Sequence, residues 1–336
     1  MTGTVHIGMD EAQALCERAA VATGATEEVA RSLARSAVTA EAEGHALMGL
    51  AHFTGYLDAM EAGRLDGAAE PVITRPALAL YLADAKGGSA YTAFDRVFDD
   101  LARTARLFGI ALLSQKNAYT SGALGYFTGR LARAGLVSIA ATNGPALLAG
   151  SGSSTPVYCT NPMSFAAPVA DGPPLVIDQS SSATAFASIR KAATEGRDIP
   201  DGWAVDDRGR PTIDPNEAMK GALLAFGGER GANVALMVEV LAAGVSGANW
   251  SLDAPGFASG SQNPGTGLFV LALDPNLLEP GFETRMRRQM ERLRLDYGVH
   301  IPGHGKDLAR ARAAAGGFDI PRVTYNRIAR SAGGSV

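Results

Sequence analysis

From Ala77 onward the chain alternates short apolar strands with amphipathic helices, and this alternation limits the fold more than any other feature. ALALYLADA reads as a strand, YTAFDRVFDDLARTARLFG as a helix and GIALLSQ as a strand. GALGYFTGRLARAG is helical and LVSIAAT is again a strand. SFAAPV and PPLVIDQ are short apolar strands bounded by Gly and Pro, and SATAFASIRKAATEG returns to helix. Strands and helices in this order predict an α/β core with some parallel pairing.

Helices flank that core. MDEAQALCERAAVATG has apolar residues at helical spacing and ends on Gly24, a natural C-cap. TEEVARSLARSAVTAEAEG follows, with Thr26 as N-cap, acidic residues in its first turn and Gly44 at its close. A third helix is expected over Ala46 to Glu61. DIPDGWAVDDRGRPTIDP reads as an ordered surface loop, GANVALMVEVLAAGVSG as the most apolar helix, suited to burial, and GLFVLALDP as a strong strand. FETRMRRQMERLRLDYG and KDLARARAAAG are charged amphipathic helices, suited to the periphery or a subunit interface.

The 336 residues are 46% hydrophobic and 19% charged, with a formal net charge of −4, as expected of a soluble globular protein. No Lys/Arg block offers a stripe for a phosphate backbone, which argues against a nucleic-acid partner. No apolar run suits a bilayer span, and MTGTVHIGMDEAQAL lacks the order of a signal peptide. Cys16 and Cys159 lie far apart in sequence, which predicts free thiols in a reduced, cytoplasmic compartment.

Three stretches could carry chemistry. In PPLVIDQSSSATAF a buried strand ends at Asp178 and Gln179, and a Ser/Thr cluster then opens a helix. Hydroxyls, free backbone N–H groups and a helix dipole in one place suit a phosphate. Serine N-capping alone would explain the same residues. FGGERGANVAL sets Arg230 beside glycines that let backbone approach a ligand. VHIPGHGKDLA holds His300 and His304 at metal-like spacing, but they straddle Pro302 and Gly303 without an acidic or cysteine partner, so no metal site is expected. No G-x-G-x-x-G follows a strand, and neither a P-loop nor a G-x-S-x-G elbow occurs.

The order TNG, CTNPMSFAAP, PPLVIDQSSS, GWAVDDRGRPTIDP, FGGERGANVALMVEVLAAGVSGA, GLFVLALDP and IPGHGKDLAR resembles the malate/L-lactate dehydrogenase family that lacks a Rossmann fold. That family includes ureidoglycolate, sulfolactate and diketogulonate dehydrogenases and cyclic imino acid reductases. The resemblance covers most of the chain. It implies a non-Rossmann α/β fold with a mixed-sheet nucleotide domain, residues 76–279. Residues 1–75 with 280–336 would form a helical substrate and dimerisation domain. It also implies an intertwined homodimer and NAD or NADP as cofactor, with NADP slightly favoured. Cofactor contacts carried over by motif fall on Asp178, Gln179, Ser180, Ser181, Ser182, Ala183 and Thr184, on Glu229 and Arg230, and on Gly303, His304 and Gly305.

The substrate side departs from the family pattern. Where relatives typically carry Ser-His-Gly, this chain has Leu47-Met48-Gly49, and methionine cannot donate a proton. A second typical histidine falls on Thr120, and the usual arginine for a substrate carboxylate falls on His52. Three polar positions differ together while the cofactor motifs persist, which implies a retained nicotinamide site beside a remodelled pocket. Reducing a ketone needs a proton for the developing alkoxide, whereas a protonated imine arrives charged. The expected reaction is therefore NAD(P)H-dependent reduction of C=O or C=N in a small carboxylate: a 2-oxo acid, or a cyclic imino acid such as piperideine- or pyrroline-2-carboxylate. His52, Tyr119 and Asp178 are the candidate catalytic residues, and Met48 and Thr120 line the pocket. His45 has a plain reading as an exposed helix-start residue. The competing expectation is a catalytically silent homologue that binds a nucleotide or metabolite as a sensor or scaffold.

Overall fold

The computed structural model describes residues 3–334. The first two residues of the leading MTGTVHIGM lie outside that range. Strand β1 (Thr4–Ile7) precedes helices α1 (Met9–Ala22) and α2 (Glu27–Ala42). The Thr26 hydroxyl caps α2 by accepting the Val29 N–H at 3.3 Å. The third helix does not run unbroken from Ala46. A single 3₁₀ turn, Ala46–Met48, is followed by α3 (Leu50–Glu61). The break has a cause: the buried Glu41 carboxylate accepts the Leu50 N–H at 2.8 Å, and Gly49 packs so tightly on Glu41 that a Cβ would not fit.

Next come β2 (Val72–Ala77), β3 (Leu80–Asp84), α4 (Ala90–Phe108), β4 (Ile110–Ala118), α5 (Gly125–Arg133) and β5 (Val137–Thr142). Helix α4 starts at a Ser89 side-chain cap and stops at Gly109, whose φ of 83° is left-handed. Short strands β6 (Leu148–Ala149) and β7 (Pro156–Tyr158) lead to β8 (Met163–Ala167), β9 (Leu175–Gln179) and α6 (Phe186–Thr194). Then follow β10 (Ala204–Val205), α7 (Pro215–Ala218), β11 (Ala222–Leu223) and α8 (Glu229–Glu239), which continues as a π-helical turn, Val240–Gly244. Strand β12 (Thr266–Leu273) precedes α9 (Phe282–Tyr297), α10 (His304–Gly316), β13 (Phe318–Pro321) and α11 (Arg322–Ser331).

The main sheet has seven strands in the order β2-β3-β4-β12-β5-β8-β9. Only β3 and β4 pair in parallel, with α4 as their crossover; every other neighbour is antiparallel. This mixed order differs from the doubly wound parallel sheet of dinucleotide-binding domains. A four-stranded sheet, β10-β11-β6-β7, forms beside it, and β1 pairs with β13.

One hydrophobic core runs from α1, α2 and α3 through α4 to β3, β4 and β12. Phe53, Phe94, Phe127 and Tyr91 are buried within it, each worth roughly 1.5–3 kcal/mol of transfer free energy. A smaller core gathers Leu148, Ile189, Ile199, Ala204, Leu223 and Ala235. Residues 198–215 therefore form more than a surface loop: Ile199, Ala204 and Val205 anchor them into the smaller sheet. The apolar helix α8 is also not wholly buried, since Leu236, Met237 and Val240 remain exposed along it. No helix among the described residues is long and apolar enough to cross a membrane.

Candidate functional site

A cavity of about 460 Å³ opens where the 3₁₀ turn and α3 meet the segment after β4 and the start of α6. The Glu41–Leu50 hydrogen bond holds the first wall, placing His45, Met48 and His52 on the cavity. His45 and Met48 lie before the break at Gly49 and His52 after it, yet all three reach the same space. Tyr119 and Thr120 enter from the end of β4, and Asp178, Gln179 and Ser180 from the end of β9.

Asp178 is the only carboxylate in the lining, and Arg190 the only lysine or arginine, among the described residues. One Asp178 oxygen accepts the Gly125 N–H at 2.8 Å. Burial raises the Asp178 pKa, and the Gly125 hydrogen bond, Lys306 and His45 partly offset that rise. His45 is half-buried rather than solvent-exposed. Its pKa is lowered by burial and by Lys306, against the pull of Asp178. His45 and Asp178 thus form one electrostatically coupled end of the site, with Lys306 acting on both from outside the lining.

His52 marks the other end. Its Nε2 is buried and has no hydrogen-bond partner among the described residues, and its ring meets Tyr56 edge-on at 4.9 Å between centroids. Burial, with the Arg190 charge second, pushes its pKa down to about 4, so the imidazole is neutral at pH 7. Tyr56 is itself fixed: its hydroxyl lies 3.1 Å from that of Tyr91, which donates to the Ser121 carbonyl at 2.8 Å. Tyr119 turns its ring to the cavity, but its hydroxyl donates to the Phe257 carbonyl at 2.9 Å. The phenol proton expected for a substrate is therefore committed within the wall.

The Ser-rich segment does not cap α6. That helix begins at Phe186 with Ala185 as N-cap and no side-chain cap, so its first-turn N–H groups have no hydroxyl partner. The Ser181 hydroxyl is fully buried and donates to the Asn161 carbonyl at 2.7 Å. The Ser182 hydroxyl donates to the Thr184 carbonyl at 2.6 Å, and the Ala183 N–H donates to the Leu224 carbonyl at 2.8 Å. Ser182 also bridges to Ala225, which brings this segment beside the Gly227–Gly228 turn that opens α8 at Glu229 and Arg230. Both glycines have positive φ, at 58° and 65°.

Gly303, His304 and Gly305 lie elsewhere along β9. Gly303 abuts Pro174 and Val176, and the Val176 N–H donates to the Pro302 carbonyl at 3.2 Å. Val176 precedes Ser180 by four residues, roughly 13 Å of extended chain. His304 instead lines a separate cavity of about 150 Å³ with Arg287 and Arg294. Sequence reasoning did not place Tyr56, Phe257 or Asn143 in the site; of these, only Tyr56 carried a signal, one helical turn after His52.

The comparisons agree on the kinship. The family described as malate/L-lactate dehydrogenase matches residues 7–329. A Delta(1)-pyrroline-2-carboxylate/Delta(1)-piperideine-2-carboxylate reductase from Pseudomonas syringae pv. tomato is 34% identical, over 95% of this chain and 94% of that protein. A (2R)-3-sulfolactate dehydrogenase (NADP(+)) from Chromohalobacter salexigens is 32% identical over 96% of each. The crystal structure of delta1-piperideine-2-carboxylate reductase from Pseudomonas syringae superposes with a TM-score of 0.93 at 32% identity, covering 98% of this chain and 100% of that one.

Proposed function

This chain belongs to the malate/L-lactate dehydrogenase family, and from that premise we propose that it is a nicotinamide-dependent reductase of small carboxylates. Reduction of C=N in a cyclic imino acid, of the pyrroline- or piperideine-2-carboxylate kind, fits its cavity better than reduction of a 2-oxo acid. One observation carries this preference: the cavity presents Met48 and Thr120 at the family's imidazole positions and keeps Asp178 as its only carboxylate among the described residues.

An iminium nitrogen is cationic and wants a carboxylate beside it, whereas a developing alkoxide wants a strong proton donor. Asp178 meets the first need. Burial also raises its pKa, which brings its proton affinity closer to that of an imine nitrogen; a proton passed from its acid form to that nitrogen leaves carboxylate and iminium to attract each other. His45, whose pKa burial lowers, lies at the same end, where it feels the Asp178 charge and can relay a proton to solvent. Met48, Tyr56 and Phe257 give the cavity apolar walls that would limit water around a bound ring.

The uncapped α6 N-terminus and the joined Ser180–Thr184 and Gly227–Arg230 segments suit a dinucleotide's phosphates. Such a coenzyme, when bound, supplies the hydride. NADP is favoured over NAD, in keeping with the relative named as an NADP(+) enzyme and with Arg230, which has no carboxylate partner among the described residues. Assembly as a cytoplasmic homodimer belongs to the same reading: Leu236, Met237, Val240, Val245 and Leu252 are exposed apolar residues in or just beyond α8. Helical segments 1–75 with 280–336 would complete the substrate side, and 76–279 the coenzyme side.

The test is a panel of cyclic imino acids beside 2-oxo acids, read as loss of reduced-nicotinamide absorbance. Turnover of imino acids well above that of 2-oxo acids is the expected result; the reverse order would sink the preference for C=N. Coenzyme binding without turnover of any panel member would leave the catalytically silent homologue that the loss of both histidines suggests.

A further inference from the structure

We infer that Arg190 anchors the substrate carboxylate in this protein, in place of the arginine missing at position 52. This rests on the reading of the cavity as a site for small carboxylates. A carboxylate in a cavity of mixed polarity needs a cation or several N–H donors. His52 does not supply the charge, because its ring is neutral at pH 7 and its buried Nε2 has no partner among the described residues.

Arg190 supplies it. Among the described residues it is the only lysine or arginine in the lining, and no carboxylate pairs with it. The other basic residues of this region are placed differently. Lys191 is 3.9 Å from Glu195 and Arg210 is 2.7 Å from Asp206, and neither lines the cavity. The Arg190 guanidinium sits over the Phe186 ring at 5.7 Å, one helical turn back, which orients the side chain along the cavity-facing side of α6. The guanidinium's charge is felt at His52, while Asp178 feels His45 and Lys306. Lys306 acts from outside the lining, so the lining itself is bipolar, with a cation toward His52 and a carboxylate toward His45. A cyclic imino acid is bipolar in the same sense, carrying an iminium and a carboxylate.

The competing assignment for Arg190 is the ribose 2′-phosphate of NADP, and the experiment separates the two. The variants are Arg190→Gln and Arg190→Lys. Pyrrole-2-carboxylate, a planar ring acid that cannot accept hydride, and its carboxamide are titrated calorimetrically into the enzyme with NADP+. Steady-state KM is measured for imino acid, NADPH and NADH. The wild type is expected to bind the carboxylate at least about tenfold tighter than the carboxamide, one charge-assisted contact's worth. Arg190→Gln should erase that margin and raise the imino acid KM by about 30-fold, with kcat within about threefold. Arg190→Lys should restore part of both. An unchanged margin and KM in Arg190→Gln would overturn the proposal. So would a loss confined to NADPH, with NADH and the imino acid unaffected. The calorimetric margin needs no turnover, so a failure of the reductase reading is distinguishable from a failure of this one.

Discussion

The Asp178 carboxylate accepts the Gly125 backbone N–H at 2.8 Å, and this bond ties the end of β9 to the start of α5 at the wall of the cavity. It fixes the direction of the carboxylate while leaving the second oxygen free. Asp178→Asn preserves an acceptor for Gly125 but removes both charge and exchangeable proton. The expected outcome is a fall in kcat of about 10²- to 10⁴-fold, with coenzyme Kd changed by less than about threefold. Single-turnover kinetics and coenzyme fluorescence titration read the two quantities separately.

Tyr119 and Phe257 provide a second check. If the phenol's role is to close the wall, Tyr119→Phe removes one hydrogen bond at a cost of about 1 kcal/mol, and kcat stays within about threefold. Chemical denaturation and turnover measured on the same variant decide it. A hundredfold loss of kcat at undiminished stability would instead make Tyr119 a proton donor.

His52 predicts an acid-labile fold. Its folded pKa is about 4 and its unfolded value is the ordinary histidine one, so the unfolded chain takes up the proton first as pH falls. Stability from this group is complete above pH 6.5 and is lost between 6.5 and 4, by at most about 3 kcal/mol. His52→Leu should flatten that acid limb in urea denaturation at pH 7.5 and 4.5. An identical pH dependence in wild type and variant would exclude His52 as its source.

Met48 and Thr120 define the substrate preference. In the double variant Met48→His, Thr120→His, an imidazole donor returns to the cavity. Activity toward 2-oxo acids should rise by about tenfold or more, and activity toward imino acids should fall. A double variant that gains nothing on oxo acids would show that these positions do not set the choice between C=O and C=N.

The strand and helix order was legible because hydrophobic periodicity is local, and β9 with its Asp178-Gln179-Ser180 end was placed by the same logic. What escaped is non-local. The acceptor of the Tyr119 proton, Phe257, is 138 residues away and carries no periodic signal. The break at Gly49 depends on a carboxylate from the preceding helix, which propensity does not encode. Helix α6 begins at Phe186, three residues later than a serine cap at Ser182 would give, because the serines are bonded to one another and to neighbouring carbonyls. That delay decides which residues of α6 meet the cavity, Arg190 among them, and no local pattern in the sequence encodes it.

Strand β12 carries a consequence for how the chain is made. It lies between β4 and β5, hydrogen-bonded to both, although it follows β5 by more than 120 residues. Until β12 emerges from the ribosome, two half-sheets exist with unsatisfied inner edges. A chain truncated before residue 266 leaves those edges open to one another and to other copies. Nascent protein of this kind is expected to need shielding late into synthesis, and premature termination to yield insoluble fragments rather than a smaller folded domain.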